Sequence, residues 1–299
     1  MADQDLNGKV VVITGASSGF GKGAALKFAG AGAAVVLAAR RDQILEELAR
    51  ECEAAGGRAL AVPTDVSRQE DVEQLAQAAV SQYGRIDVWV NNAGGAALGR
   101  FEDVPLADHV QVIGTDLLGT LYGSYFALRQ FRQQEGGTLI NVASVIGKVP
   151  APYFASYAAA KHGVVGLDGA LRQELKENKV EGVRVCTVMP TSMDTPFFEH
   201  AANYTGHQAV PIPPVYDPQE VIDTIVRLAA DPEDEVTVGK AGTLFAFTHN
   251  VAPGLTEAMM GKQTHLSQME KAEPSGDTEG SLHAPSPAGT EVTGGWREK

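Results

Sequence analysis

The sequence predicts an α/β fold, a single domain built on a doubly wound sheet of about seven parallel strands with helices on both faces. Three observations carry this reading. Short β-branched or apolar runs alternate with helical segments, which implies right-handed crossovers and a parallel sheet. The runs lack strict polar alternation, as strands buried on both faces do. A glycine-rich turn, Gly15-Ala-Ser-Ser-Gly19-Phe-Gly21, separates the first run from the first helix. In such folds ligands bind beyond the carboxyl ends of the strands.

Lys9–Thr14 (KVVVIT) reads as the first strand, and a helix follows the glycine turn to about Ala31. Ala33–Ala39 is the second strand, and Asp42–Ala55 a helix with Ile44, Leu45 and Leu48 on one face. Ala59–Pro63 is a third strand and Arg68–Tyr83 a third helix. Ile86–Val90, Thr138–Ala143 and Val183–Met189 supply strands four to six, with Glu235–Val238 as a seventh. Leu106–Gln134 is a long helical stretch in two pieces, and Pro218–Ala230 returns to helix. Pro190–Asp217 has no period and many Pro, Thr and aromatic residues. A loop that long inside a compact domain is functional or disordered. Thr243–Met260, which contains Pro253, reads as a broken helix. The catalytic domain is thus expected over 1–262, with a substrate loop at about 190–217. From 263 to 299 the composition turns to Pro, Gly, Ser, Glu and Asp, and a disordered or loosely docked tail is expected.

The chain has 299 residues, 44% apolar, enough for a sizeable core. Its net charge of −13 argues against nucleic acid or an anionic membrane surface as the main partner. Cys52 and Cys186 are far apart, and no CxxC or Cys/His cluster occurs. Neither a disulfide framework nor a metal site is expected. His200 and His207 lack the spacing and the carboxylates of a metal pair. The N-terminus lacks a signal h-region, and no apolar run reaches the ~18 residues of a membrane span. A cytoplasmic location is expected.

The chemistry concentrates in Ser144–Lys161. Tyr157 and Lys161 stand four apart in an Ala-rich, helix-favouring run, on one helical face. A free phenol titrates near ~10. An ammonium within ~4–6 Å favours the phenolate and lowers that value. The phenol then exchanges a proton with a substrate oxygen, and a serine hydroxyl such as that of Ser144 holds the same oxygen. A tyrosine–lysine spacing alone is common, so the case rests on what lies upstream. The glycine turn lets a pyrophosphate approach a helix N-terminus, where amides and the helix dipole favour an anion. Arg40 and Arg41 stand after strand two, where an acidic residue would favour NAD. Guanidinium groups suit a 2′-phosphate. NADP(H) is therefore preferred, with NAD(H) still possible. Asp65 either binds the adenine amino group or caps the next helix.

Together these pieces resemble the short-chain dehydrogenase/reductase superfamily, with its Rossmann-like fold. The matching residues are Thr14-Gly-Ala-Ser-Ser-Gly-Phe-Gly21, Asn91-Asn-Ala-Gly94, Ser144 and Tyr157-x-x-x-Lys161. The resemblance implies that Gly15, Ser17, Ser18, Gly19, Phe20 and Gly21 hold the pyrophosphate side of the cofactor. Asp65 and Val66 flank the adenine, and Asn91, Ala93 and Gly94 line the cofactor. Pro190 and Thr195 belong to the nicotinamide turn. Ser144 orients the substrate oxygen, Tyr157 is the acid or base, and Lys161 lowers its pKa and binds the nicotinamide ribose. Two positions depart from the family pattern. Asp116 stands where an asparagine relay residue is usual, and either serves as the relay or pairs with Lys161. Thr191 replaces a common glycine, so the backbone there is expected to differ.

The resemblance further implies an oxidoreductase that interconverts a carbonyl and an alcohol. The aromatic, proline-rich segment 197–216 points to an apolar substrate. A homodimer or homotetramer is implied through the 106–134 and Tyr157 helices, with Gly119, Gly123 and Ala127 allowing close approach. The alternative function is a catalytically weak dinucleotide-binding regulator or scaffold.

Overall fold

The computed structural model describes residues 6–298. Its strands are β1 (Val10–Thr14), β2 (Ala34–Ala39), β3 (Arg58–Pro63), β4 (Val88–Asn91), β5 (Ala97–Leu98), β6 (Gly137–Val142), β7 (Val183–Pro190), β8 (Ala202–Asn203) and β9 (Glu235–Val238). Seven of them form one sheet in the order β3-β2-β1-β4-β6-β7-β9, and each neighbouring pair is parallel. The order reverses between β1 and β4, which opens a crevice at their carboxyl ends.

The helices are α1 (Gly19–Gly30), α2 (Asp42–Ala54), α3 (Gln69–Tyr83), α4 (Leu106–Ile113), α5 (Gly119–Gln133), α6 (Ala155–Glu177), α7 (Phe197–His200), α8 (Gln219–Ala230), α9 (Lys240–Val251) and α10 (Pro253–His265). Every residue of β1 is buried, as the unbroken apolar run requires. Its side chains still alternate between faces. Val11 and Ile13 pack with Phe28 of α1, Leu45 of α2 and Ile225 of α8. Val10 and Val12 pack with Leu75 of α3, Phe131 of α5 and Leu175 of α6.

Four features differ from expectation or lie beyond it. First, the long helical stretch is broken by a π-helical turn, Gly114–Leu118, between α4 and α5. Second, Gly119, Gly123 and Ala127 do not face outward. A Cβ on Gly123 would lie 2.0 Å from Asn91 Oδ1, one on Gly119 would lie 2.8 Å from Val66 Cγ2, and Ala127 is buried. These small residues seat α5 on the chain's own β4 and on the loop after β3, so the expectation that they serve subunit contact is corrected. The outward apolar residues are instead Leu106, Val110, Leu118, Leu121 and Tyr125. Third, the loop after β7 contains α7 and β8, and β8 pairs with β5 through Ala97↔Ala202 and Leu98↔Asn203.

Fourth, helix continues past residue 262, through α10 and a π-turn at Leu266–Glu270. The remaining tail is irregular, yet it is held to the domain. Bridges join Asn203 to Thr278 and His207 to Pro274, and Leu282 is buried. Of the two expectations for this segment, disordered or loosely docked, these contacts correspond to the docked one. Composition measures how little apolar surface the tail can bury. It does not register the side-chain donors and acceptors elsewhere in the domain that bind the tail's backbone.

Beneath the site a buried polar chain ties strands to α6. Trp89 Nε1 donates to Asn91 Oδ1 (2.7 Å), Asn91 Nδ2 to Asn141 Oδ1 (2.8 Å), and Asn141 Nδ2 to Asp168 Oδ1 (2.5 Å). Thr187 Oγ1 donates to the other Asp168 oxygen at 2.7 Å. Burial pushes the Asp168 carboxyl up to about 6, against the pull of Thr187, Asn141 and Arg172. The folded chain therefore holds this proton more tightly than the unfolded chain, whose Asp titrates near ~3.9. Stability from this group is full at low pH and falls as pH rises from about 4 to about 6, by roughly 3 kcal/mol. Urea unfolding across that window should show the loss in the native chain and not in Asp168→Asn. An unchanged slope in the variant would assign the pH dependence to another group.

Candidate active site

The site lies where the carboxyl ends of β1, β4, β6 and β7 meet the start of α6. The glycine turn after β1 divides its work. Gly15 has φ +65°, and a Cβ there would lie 2.8 Å from Ala93 Cα. A Cβ on Gly21 would lie 2.2 Å from the Gly15 carbonyl oxygen. These two glycines let the turn pack on the β4 loop and on itself. Gly19 opens to the cleft, and a Cβ there would meet nothing nearer than Thr195, at 3.7 Å. Ser17, Ser18 and Phe20 line the same cleft.

At the end of β2 the two arginines are held rather than freely solvated. Arg41 Nε donates to Ser17 Oγ (3.0 Å) and Nη2 to the Ser17 carbonyl (3.1 Å). Arg40 Nη1 donates to the Leu282 carbonyl at 3.0 Å. Asp65 and Val66 line the cleft beside them. Asp65 Oδ1 accepts from the Ser67 amide (3.0 Å) and hydroxyl (2.7 Å). It therefore caps a turn before α3 rather than α3 itself, which begins at Gln69.

One expected cofactor residue is turned away. Asn91 is buried, and its amide bonds Asn141, Ser124 and the Thr120 carbonyl. As the last residue of β4 it points toward α5. The next residue, Asn92, faces the crevice and donates from Nδ2 to the carbonyls of Thr14 (3.0 Å) and Gly15 (3.2 Å). Strand parity decides between the two asparagines, and the strand end had to be located to one residue to see it. Ala93 and Gly94 line the cleft.

Ser144 follows β6 and begins a 3₁₀ turn, its Oγ accepting from the Ile146 amide at 3.2 Å. The same hydroxyl acts on the Tyr157 phenol in the direction of a lower pKa. Lys161 Nζ sits 5.5 Å from the Tyr157 ring centre. It donates to the Val142 carbonyl (3.0 Å) and forms an ion pair with Asp116 Oδ1 (3.1 Å). Asp116 Oδ2 accepts from the Gly95 amide at 2.9 Å. Of the two readings left open for Asp116, the structure displays the pair with Lys161. The π-turn carries Asp116 to this position, an irregularity that recurs at functional sites. Gly94 leaves the room: a Cβ there would stand 2.8 Å from Asp116 Oδ1 and 3.4 Å from Lys161 Nζ.

Burial pushes the Tyr157 phenol above its usual value. Lys161 pulls it down and Asp116 pushes it up, so the expected lowering is outweighed in the free protein. Burial lowers the Lys161 ammonium, but Asp116 and Tyr157 push it back above its ordinary value. Burial raises the Asp116 carboxyl against the pull of Lys161 and the Gly95 amide. The two partners' shifts favour opposite charge states. The ion-pair distance and the amide on the second oxygen favour the charged pair.

Pro190 and Thr195 line the cleft. Thr191 does not enter the left-handed region, and its Oγ1 bonds the Val238 carbonyl at 3.1 Å. Beyond Tyr157 the wall is apolar, made by Phe154, Phe197, Ile212, Phe245 and Met260. His200 turns instead to the tail, with Nε2 3.1 Å from the Ala288 carbonyl. Among the described residues no group of His, Cys, Asp and Glu is placed to hold a metal ion. Also among them, no helix is long and apolar enough to cross a membrane. The Gly19 turn at the N-terminus of α1, which has room for a ligand to approach although its amide meets a carbonyl of the tail, and the continuous lining from Arg40 to Tyr157, fit an extended anionic dinucleotide.

Comparison with known proteins agrees. The family model described as short chain dehydrogenase matches residues 9–204. An uncharacterised oxidoreductase of Bacillus subtilis, YxnA, is 35% identical over 88% of this chain and 74% of its own length. The 3beta-hydroxysteroid dehydrogenase 1 of Eggerthella lenta is 36% identical over 78% of this chain and 91% of its own. A short-chain dehydrogenase/reductase from Burkholderia phymatum, solved in complex with NAD, superposes with a TM-score of 0.75 at 26% identity, covering 84% of this chain and 96% of that one. Motifs in register, sheet order and matched relatives agree, and the chain belongs to the short-chain dehydrogenase/reductase family of oxidoreductases.

Proposed function

We propose that this protein interconverts an apolar ketone or aldehyde and its alcohol, using NADP(H) in preference to NAD(H). The observation that carries the reading is the cluster of Ser144, Tyr157 and Lys161 at one end of a cleft whose other end holds Arg40 and Arg41. A bound nicotinamide dinucleotide supplies or accepts the hydride. The chain's own residues handle the proton and the orientation. Ser144 Oγ holds the substrate oxygen beside the phenol. Tyr157 gives that oxygen a proton during reduction and removes one during oxidation. Lys161 opposes the effect of burial on the phenol, and Asp116 positions the ammonium while weakening that opposition. The aromatic wall excludes water and accepts an apolar body. Pro190 and Thr195 support the nicotinamide end, and Gly15, Ser18, Gly19 and Gly21 the pyrophosphate.

Tyr157→Phe should lower turnover by about 10²–10⁴-fold while dinucleotide binding persists. Retained binding with near-native turnover would remove Tyr157 from the chemistry. Binding with no hydride transfer in the native chain, across a carbonyl and alcohol panel, would favour the regulator reading, to which the Asp116 carboxylate beside Lys161 gives some weight. The raised phenol also fixes a pH pattern. A protonated Tyr157 serves reduction at neutral pH, whereas oxidation needs the phenolate. The oxidative kcat/KM should therefore climb through alkaline pH, and Asp116→Asn should move that climb to lower pH. A shift to higher pH, or none, would contradict the role given to Asp116.

The cofactor preference rests on the two guanidinium groups and on the absence of an acidic side chain at positions 40 and 41. Fluorescence titration at fixed salt should give tighter binding of NADPH than of NADH, reversed in Arg40→Gln/Arg41→Gln. Equal or tighter NADH binding by the native chain would overturn the preference.

A homo-oligomer is also proposed, through the exposed apolar residues of α4 and α5 around Leu121 and Tyr125. Light scattering should give at least twice the chain mass, and a monomer mass would exclude it.

A further inference from the structure

The tail does more than pair with the loop after β7. It crosses the mouth of the dinucleotide cleft. It enters beside β8, where the Asn203 amide donates to the Thr278 carbonyl at 2.7 Å and the Ser281 amide to the His200 carbonyl at 2.8 Å. Leu282 is then buried in the same apolar cluster as Phe154 and Tyr157. Arg40 donates to the carbonyls of Ser281 (2.5 Å) and Leu282 (3.0 Å), and Arg41 to those of Ser286 (3.2 Å) and Ala288 (3.0 Å). Further along, the Glu291 carbonyl accepts from the Gly19 amide at 2.9 Å. The tail ends on the turn after β7. Gly294 and Trp296 amides donate to Asp194 Oδ1 (3.0 and 2.8 Å), and Trp296 Nε1 donates to the Thr195 carbonyl at 3.1 Å.

The partners of this segment are the groups assigned to the cofactor: the two arginines, the first amide of α1, and the nicotinamide turn. Its carbonyl oxygens sit on donors suited to phosphate oxygens. Yet it does not fill the cleft. Ser281, Leu282, Pro285 and Ser286 line it, together with Gly15 on one side and Tyr157 on the other. The path is also shaped for closure. Gly280 and Gly289 have φ of +54° and +66°, and a Cβ on them would lie 2.3 Å from the His200 carbonyl and 2.4 Å from His200 Nε2. The tail therefore runs through a fitted track across a space that remains open beneath it.

We propose that residues 281–296 form a strap that roofs the dinucleotide cleft, so that the cofactor enters and leaves only when the strap lifts. This rests on the dinucleotide reading of the cleft. The contacts that must break are hydrogen bonds to the strap's backbone, with Leu282 and Trp296 its main apolar anchors, and a segment held mostly by such bonds can open locally without global unfolding. Such gating slows both directions of exchange and leaves the equilibrium nearly in place.

Stopped-flow fluorescence with NADPH and NADH tests this on the full chain, a chain ending at residue 272, and Trp296→Ala. The point variant keeps the chain length should the truncated form fail to unfold cooperatively. The strap predicts that association and dissociation rates both rise, by about tenfold or more in the truncated chain, with Kd moving less than about threefold. Trp296→Ala should move both rates the same way by less. Faster association with unchanged dissociation would make the tail a competitor for the phosphate donors and overturn the strap. Faster dissociation alone, or unchanged rates, would overturn it as well. Failure of either nucleotide to bind the full chain or the truncated one would instead sink the dinucleotide reading itself.

Discussion

The site depends on one buried ammonium. Lys161 has almost no exposed side-chain surface, and Asp116 has none. A buried charge is tolerated only when paired and hydrogen-bonded, and removing one partner of such a pair costs about 3–5 kcal/mol. Four parts of the chain meet this demand. The π-turn brings Asp116, the end of β6 brings the Val142 carbonyl, the loop after β4 brings the Gly95 amide, and α6 brings Lys161 and Tyr157. Their relative positions are tied together by these contacts to the two buried charges. The catalytic tyrosine proposed here is therefore positioned through electrostatics that the rest of the fold has to support.

That support comes from close approach. Gly94 makes space for the ion pair, and Gly15 and Gly21 let the first turn press against the β4 loop. Asn91, Asn141, Asp168 and Thr187 then tie β4, β6, β7 and α6 together just below. Polar groups buried in a connected chain hold register in a way apolar packing alone does not. The two asparagines at the carboxyl end of β4 thus have different jobs in this chain. Asn91 braces the sheet, and Asn92 fastens the glycine turn.

The substrate and cofactor ends of the cleft are bounded by the least regular parts of the chain. The loop after β7 supplies Phe197 and Ile212 of the apolar wall, and the tail passes over the arginines. The loop is held by backbone pairing such as β5 with β8, and the tail by the Asn203–Thr278 bridge and by side chains such as Arg40 and Asp194. Elements held in this way open at lower free energy than the core strands. A rigid reaction centre with a yielding rim suits a ligand as long as the proposed dinucleotide.

Most of the sheet was legible in the sequence, because β-branched runs such as KVVVIT and their alternation with helices are local signals. Ser144, Tyr157 and Lys161 were legible for a related reason: their order and spacing carry the family resemblance without coordinates. The tertiary structure decided what depends on distant neighbours. It turned Asn91 inward and Asn92 toward the cleft, since strand parity rests on where β4 ends. It faced Gly119 and Gly123 inward, since a small residue looks alike whether it meets a partner or its own sheet. It raised the Tyr157 phenol, since burial is a property of everything packed around a group. And it docked the tail, because composition measures how little apolar surface a segment can bury and cannot count the arginines, amides and carboxylate waiting for its backbone.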